Sequence, residues 1–253
     1  MLRKDLDTFF DRLLTPSSFN DYCPNGLQIE GAERIEKIAF AVSATRDSIE
    51  RAVALKADAL AVHHGLFWKF HGARTLTGSF ANRVFPLVQN NINLFAYHLP
   101  LDAHPEIGNA AVLGRRLGCR QQAPFGDFKG SPTGIKGVLE QPIPAKDLCL
   151  KLRTILNHAV ILASPDQSRT VGSVGIITGG ANSDWILAQQ AGLDAYITGE
   201  ISEHDWHESQ ESGIHMFAGG HYATETFGIQ SLMQQVRKQF DLECVFIESE
   251  NPA

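Results

Sequence analysis

The chain has 253 residues, of which 43% are hydrophobic and 20% are charged, and its formal net charge is −6 at pH 7. These values are typical of a globular protein with one large core or two smaller ones. The acidic balance, without any long run of Lys and Arg, argues against a nucleic-acid partner.

The N-terminal segment predicts an amphipathic helix, because its apolar side chains recur at helical spacing: Leu2, Leu6, Phe9, Phe10, Leu13 and Leu14. It lacks the pattern of a secretory signal, and no stretch of the chain approaches 18 apolar residues. The four cysteines are far apart and form no CxxC motif, so we expect reduced thiols. We therefore expect a cytoplasmic protein without a membrane partner.

The first half of the chain alternates β-rich and helical runs. Strands are predicted over 35–45, 58–65 and 92–98, and helices over 46–57, 80–91 and 109–118. Gly118 is expected to end its helix as a C-cap. Pro86 is expected either to kink the second of these helices or to lie near its start.

The second half repeats this alternation. Strands are predicted over 171–180, 193–200, 214–220 and 242–248, helices over 183–192, 204–213 and 223–240, and one more strand–helix–strand within 126–170. We therefore predict an α/β fold of two related βαβ-type domains with mixed, largely parallel sheets. The domains are expected to span 1–125 and 126–253, with 220–253 packing back against the first.

Polar side chains collect where the predicted strands end. In open α/β sheets, chemistry is found at the carboxyl ends of the strands. The residues at these ends are mostly of metal-ligand types: His63, His64, His98, Asp102, Glu200, His204, His221 and Glu225. Each alone is more often a hydrogen-bonded structural residue than a ligand, so the prediction of a metal site rests on the set.

His63 and His64 are adjacent at the end of an apolar strand, where two unpaired imidazoles would be costly to bury. Neighbouring side chains of an extended strand point to opposite faces. The pair can serve one site only if the chain has begun to turn, which Gly65 permits. Otherwise the two histidines bind different metals.

His221 and Glu225 are four residues apart, so at the start of a helix they would share one face. The alternative is an ordinary surface pair, or for Glu225 a carboxylate stabilised by the helix dipole. Asp102 and Glu225 would supply the negative charge that neutral imidazoles lack. Histidine and carboxylate ligands favour Zn²⁺, Mn²⁺, Fe²⁺ or Ni²⁺ over Ca²⁺ and Mg²⁺.

Two further motifs allow two interpretations each. The segment 178–181, TGGA, follows a strand and is either a tight turn or an anion cradle. Phe67, Trp68 and Phe70 are either packing residues or a surface that stacks on a base. A Ser–His–Asp triad is not indicated, since no GxSxG motif occurs.

Six segments together resemble the Nif-three-like family, the GTP cyclohydrolase type 2 homologues, in its short bacterial form. They are DYCPNGLQIEG (21–31), AVHHGLFW (61–68), HLPLDAHPEIGN (98–109), GIITGGA (175–181), DAYITGE (194–200) and GHYATE (220–225). The resemblance spans essentially the whole chain, with the motifs in the same order.

This resemblance implies two related α/β domains with a dinuclear metal site between them, in a toroidal homohexamer. It implies two divalent metal ions per subunit, with His64 and Asp102 on one metal and His63 and His221 on the other, bridged by Glu225. By the same resemblance His98 is a further ligand or lies in the surrounding shell, and Glu200 and His204 line the pocket.

The function expected from these residues is metal-dependent hydrolysis of a nucleotide-like small molecule, with His98 or His204 moving a proton. The alternative is a non-enzymatic metal-binding scaffold or a partner-binding ring, in which the metals couple to folding. A ring that handles nucleic acid is disfavoured by the acidic charge.

Overall fold

The computed structural model describes residues 1–253 and divides them into two compact units. Unit 1 comprises 1–101 and 228–250, and unit 2 comprises 102–227 and 251–253. The sequence placed the first boundary at 125/126. The boundary lies earlier in the structure because the strand that begins at Cys119 pairs with a strand of unit 2. The helix before that strand therefore also belongs to unit 2.

Unit 1 is built on a five-stranded sheet in the order β1-β4-β3-β2-β11. Its strands are β1 Gly26–Ile29, β2 Lys37–Ser43, β3 Ala59–His64, β4 Asn93–Ala96 and β11 Glu243–Phe246. Its helices are α1 Arg3–Leu14, α2 Arg46–Ala54 and α3 Gly78–Gln89, with a single turn, α4 Leu99–Asp102, at its end. Only β1 is antiparallel to its neighbour, so this sheet is largely parallel, as predicted.

Local sequence explains where these helices begin and end. Leu6, Phe10 and Leu14 recur every four residues and bury one face of α1. The Thr45 side chain accepts from the backbone N–H of Ser48 and begins α2 with a capping box. Pro86 lies inside α3 rather than near its start.

Unit 2 is built on a six-stranded sheet in the order β5-β6-β8-β9-β10-β7. Its strands are β5 Cys119–Phe125, β6 Gly134–Pro144, β7 Ile161–Ala163, β8 Thr170–Ile176, β9 Ala195–Thr198 and β10 His215–Ala218. Its helices are α5 Asn109–Leu117, α6 Ala145–Leu156, α7 Trp185–Gln190 and α8 Glu203–Glu211. The long helix α9, His221–Gln239, begins in unit 2.

The second sheet is mixed rather than largely parallel, which corrects the prediction for this half. Only β8, β9 and β10 run parallel, whereas β5, β6 and β7 join by antiparallel pairing. β5 was not predicted, since its exposed polar residues lack a clean alternation. Gly118 ends α5 in the left-handed conformation, as predicted.

Each unit has its own apolar core. In unit 1, Leu60, Val62 and Leu94 from the central strands pack with Ile49 and Leu87 from the helices. In unit 2, helices α5 and α6 cover one face of the sheet. A second apolar cluster, which includes Trp185 and Tyr196, also packs against this sheet. The four cysteines are free and buried. No helix of the chain could span a membrane.

One buried amide fixes the start of β4. The Asn93 side chain is fully buried, donates to the carbonyls of Ala32 and Asp58 at 2.8 and 3.0 Å, and accepts from the Gly31 N–H at 2.8 Å. It therefore ties β4 to the chain segments that precede β2 and β3. The position of both strand ends depends on this register.

We expect Asn93→Leu to lower the free energy of unfolding by about 3 kcal/mol, because the Gly31 N–H and the Ala32 carbonyl lose their hydrogen-bond partner. The matched control Asn90→Leu changes an exposed amide and is expected to cost about 0.5 kcal/mol or less. Urea unfolding of both variants measures the difference. Equal midpoints would contradict the role given to Asn93.

Candidate metal centre

Parallel pairing brings the functional side chains of unit 1 to one edge of its sheet. β2, β3 and β4 lie side by side in register, with Ser43 opposite His64 and Val62 opposite Ala96. Their carboxyl ends therefore meet at the same edge. His63 and His64 close β3, and His98 follows β4 by two residues.

The three histidines form a cluster. Their ring centroids are 4.6 Å apart for His63 and His64, 5.1 Å for His63 and His98, and 5.7 Å for His64 and His98. One nitrogen of each ring lies within 4.8 Å of one nitrogen of the others, so the cluster could hold a metal ion. Both members of the adjacent pair thus belong to one cluster.

Each ring is oriented through its Nδ1 atom by a different group. Nδ1 of His63 lies 3.0 Å from the Tyr97 carbonyl oxygen, that of His64 lies 2.9 Å from the Ser43 hydroxyl, and that of His98 lies 2.9 Å from an Asp21 carboxylate oxygen. Because the carbonyl and the carboxylate can only accept, Nδ1 of His63 and of His98 carries the proton. Metal-binding histidines characteristically have this second contact, which fixes the tautomer and leaves Nε2 as the ligand atom.

Asp21 holds the His98 side of this cluster in place. Its buried carboxylate also accepts from the Asn25 amide and from the Leu99 N–H, both at 2.9 Å. Burial would raise the pKa of this carboxyl, but the hydrogen bond and charge of His98 and the other donors lower that pKa to about 2. Asp21 is therefore ionised at neutral pH and faces an imidazole.

Asp21, Cys23 and His98 form a second group whose ligand-type atoms lie within 4.8 Å of one another. Burial, with the nearby Asp21 charge, raises the pKa of the Cys23 thiol to about 12. The thiol is therefore protonated at neutral pH and weakly disposed to bind a metal. The imidazole cluster is the stronger candidate.

Gly65 has a steric role that differs from the predicted one. Its backbone does not adopt a positive φ. A Cβ at this position would overlap the Gln28 side chain, whose oxygen accepts from the Leu66 N–H at 2.8 Å. Glycine leaves room for the Gln28 amide, whose oxygen holds the Leu66 N–H directly after the histidine pair.

Unit 2 carries further donor side chains at the ends of its parallel strands. β8, β9 and β10 are adjacent, and the turns after them are hydrogen-bonded to one another through Gly179, Gly199 and Gly220. The turn after β9 carries Glu200, and the turn after β10 leads into α9 with His221 and Glu225 in its first two turns.

His221 lies between two carboxylates. Its Nδ1 is 2.5 Å from Glu200 Oε1, and its Nε2 is 3.1 Å from the buried Glu225 Oε2. His221 and Glu225 thus share one helix face, as their spacing predicted. Burial would lower the pKa of His221, but the two carboxylates raise it to about 9. The proton between His221 and Glu225 occupies a place where a cation would be favourable.

Gly179 makes room for this pair, which settles what the TGGA segment does. Its φ is +71°, and a Cβ there would overlap Glu225 Oε1 and approach His221 Nε2 to 3.1 Å. The segment is therefore a tight turn against the carboxylate. The sequence had left this turn and an anion cradle as alternatives.

Two other predicted residues lie in unit 2. The buried Asp102 carboxylate accepts from the Asn109 amide at 2.8 Å, at the start of α5. His204 lies on α8 with a largely exposed side chain, 3.6 Å from its neighbour Asp205. The catalytic role of His204 stays a prediction.

The donor set of unit 1 fits a divalent transition metal. One buried and two half-buried imidazoles, each held by a hydrogen bond at Nδ1, suit Zn²⁺, Mn²⁺, Fe²⁺ or Ni²⁺. The sequence did not identify Asp21 or Ser43 as partners of the histidines. Asp21 opens one of the quoted motifs, which was the available signal, whereas Ser43 carried none.

Comparison with known proteins gives one consistent match. The model of the family Duf34/NIF3 (NGG1p interacting factor 3) matches residues 1–252. The chain is 40% identical over 250 residues to the "GTP cyclohydrolase 1 type 2 homolog" of Vibrio cholerae, and 38% identical over 253 residues to that of Escherichia coli K12. These alignments cover 98% and 100% of both chains, respectively.

Two solved structures share the fold over 100% of both chains. The structural genomics protein ybgI, described as of unknown function, superposes with a TM-score of 0.92 at 38% identity. TTHA1606 from Thermus thermophilus superposes with a TM-score of 0.89 at 33% identity.

Gly179→Ala is expected to weaken binding of Zn²⁺ or Mn²⁺ by about tenfold or more, because the added methyl displaces Glu225 and His221. Gly192→Ala is a matched control, since Gly192 has a φ of +68° but no atom within 4 Å of an added Cβ. Both substitutions impose the same backbone strain. Isothermal titration calorimetry compares the two variants, and equal metal affinities would contradict this role of Gly179.

The raised pKa of His221 predicts a pH-dependent metal affinity. Below pH 9 the imidazole is protonated, so a metal ion must displace that proton and affinity should rise as pH increases from 7 to 9. Calorimetry in buffers of different ionisation enthalpy should detect the released proton. Glu200→Gln should lower the pKa of His221 and reduce this release at pH 8. An affinity independent of pH over this interval would refute the competition.

Proposed function

The chain belongs to the Duf34/NIF3 family, and from that premise we propose that it is a metal-dependent hydrolase acting on a nucleotide-like small molecule. The observation that carries this proposal is the cluster of His63, His64 and His98. Three imidazoles held through Nδ1 have one ring nitrogen each within 4.8 Å of one nitrogen of the others. A structural role would not require three imidazoles at one strand edge.

The finer proposal is a dinuclear centre with two divalent ions per subunit. In it His64 and Asp102 would hold one metal and His63 and His221 the other, with Glu225 shared between them. Complementary chemistry supports this assignment, since unit 1 offers neutral imidazoles and unit 2 offers buried carboxylates. Two divalent cations need such negative charge nearby.

When bound, such a metal pair lowers the pKa of a water molecule and stabilises negative charge that develops on the substrate. The residues of this chain supply proton transfer. The ionised Asp21 fixes the Nδ1 proton of His98 and would stabilise the imidazolium that forms when Nε2 takes up a second proton. We assign the proton-transfer role to His98 on this ground, and the metal-ligand role in unit 1 to His63 and His64. Hydrolysis of a C–N or P–O bond is compatible with this chemistry.

The names of the curated relatives bear on the substrate class. Curated relatives are named GTP cyclohydrolase 1 type 2 homologs, which places a nucleotide among the substrates to be tested first. The proposed toroidal homohexamer is tested by measuring the mass of the assembly in solution.

Metal-loaded protein is expected to hydrolyse a member of a nucleotide and nucleoside panel, and His64→Ala should lower that turnover by about a hundredfold or more. His207→Ala is the control, because His207 is exposed on α8 and contacts Glu203. Metal content is measured on each variant, so that loss of metal and loss of turnover can be compared. Equal turnover in His64→Ala and wild type would exclude a metal-dependent reaction at this cluster.

A further inference from the structure

An aromatic wall lies directly beside the histidine cluster in unit 1. We define it as Tyr22, Trp68 and Phe70. The Trp68 ring lies 5.1 Å from the His98 ring and 5.9 Å from the His64 ring, and it stacks on Phe70 with centroids 5.5 Å apart and planes 24° apart. Tyr22 contacts both Phe70 and His98, at 6.5 and 6.4 Å. The wall is continuous with the candidate metal cluster.

The outer part of this wall is open to solvent. Phe70 is 68% exposed and Tyr22 is 38% exposed. By contrast, the neighbouring Phe67 packs edge-on against the buried Phe80 and contributes to the core. The sequence had left packing and base stacking as alternatives for these aromatic residues. The structure separates them, because Phe67 packs inward whereas Phe70 does not.

Backbone and side-chain hydrogen bonds hold the wall rigidly against the cluster. The Trp68 indole N–H donates to the Gly65 carbonyl at 3.1 Å. The Lys69 N–H donates to the Tyr22 carbonyl at 2.7 Å, and its ammonium donates to the Asp21 carbonyl at 2.5 Å. The wall is thus joined to the residue that orients His98. A preformed surface loses little entropy when it binds a ligand.

Two basic side chains adjoin the Phe70 end of the wall. The His71 ring lies 4.7 Å from the Phe70 ring, and the Arg74 guanidinium donates to His71 Nδ1 at 3.2 Å. Arg74 is itself held over the Phe80 ring at 3.8 Å. Along this surface the order is therefore the histidine cluster, Trp68, Phe70 and then the basic pair.

We propose that this wall is a stacking subsite for a planar heteroaromatic ligand with an anionic group, its ring beside the histidines and its anionic group toward His71 and Arg74. Aromatic side chains stack on any heteroaromatic ring, and a guanidinium complements a phosphate or carboxylate. The order of groups fixes the orientation. The bond to be hydrolysed then belongs to the ring or its substituents, and the anionic group remains distant from the metals.

This inference rests on the proposed function for the identity of the reaction, but the binding it describes is measurable without turnover. The probes are GMP, guanosine and ribose 5-phosphate, titrated by calorimetry into the metal-loaded full chain. GMP carries both ring and phosphate, whereas each of the other two lacks one of them.

Phe70→Ala should raise the Kd of both GMP and guanosine by about tenfold, the size expected when one stacking partner is lost. The matched control is Phe85→Ala, which removes a 44% exposed phenyl of α3 that lies outside the wall. Its Kd values should equal those of wild type. An unchanged Kd for GMP in Phe70→Ala would overturn the proposal, whether or not the variant also changes the oligomeric mass.

The orientation has its own test. Arg74→Gln should raise the Kd of GMP several-fold and leave that of guanosine unchanged, whereas Arg46→Gln, at an exposed arginine of α2, should change neither. Removing the metal should weaken guanosine and GMP by the same factor. If metal removal instead abolishes the preference for GMP over guanosine and Arg74→Gln has no effect, the anionic group faces the metals and the orientation is wrong.

The two proposals can fail separately. Stacking-dependent binding without hydrolysis of any probe would refute the hydrolase and leave the subsite standing. Turnover of a nucleotide with an unchanged KM in Phe70→Ala would refute the subsite and leave the hydrolase standing.

Discussion

The candidate metal centre depends on the parallel pairing of β2, β3 and β4. Because these strands end at the same edge of the sheet, the side chains that follow them lie close together there. Pairing alone does not orient the rings. Each imidazole of the cluster is fixed by a hydrogen bond at Nδ1 to a neighbouring strand or loop: the Tyr97 carbonyl, the Ser43 hydroxyl or the Asp21 carboxylate. The metal-binding geometry is therefore a property of the sheet before any metal arrives.

A second consequence concerns the surroundings of the cluster. Asp21 contacts His98 through its side chain and Lys69 through its carbonyl, so one residue links the histidine cluster to the aromatic wall. Displacing it would disturb both. In unit 2, Gly179 has a comparable position, since it allows Glu225 and His221 to approach the turn after β8. Asp21 and Gly179 both lie on loops, whereas His64 ends a strand and His221 and Glu225 lie in the first turns of a helix.

Much of this could be predicted from the sequence. Apolar periodicity located most strands and helices, and strand ends indicated which histidines and carboxylates to consider. The extent of antiparallel pairing in the second sheet was missed, because periodicity locates a strand but does not give its direction. The partners of the histidines were also missed. Ser43 is an ordinary serine in sequence, and only the register of β2 on β3 places it opposite His64. Gly65 was expected to permit a turn, and the close approach of Gln28 to it was not foreseen.

The central claim is that the imidazole nitrogens of unit 1, rather than the neighbouring thiol, bind a divalent metal. X-ray absorption spectroscopy of the purified protein, with metal content measured on the same sample, tests this most directly. We expect a divalent metal ion in stoichiometric amount, surrounded by nitrogen and oxygen atoms. The spectrum should show the scattering pattern of several imidazole rings and no sulfur neighbour. A sulfur neighbour would place Cys23 in the site, and a protein that binds no divalent metal at stoichiometric amounts would contradict the account as a whole.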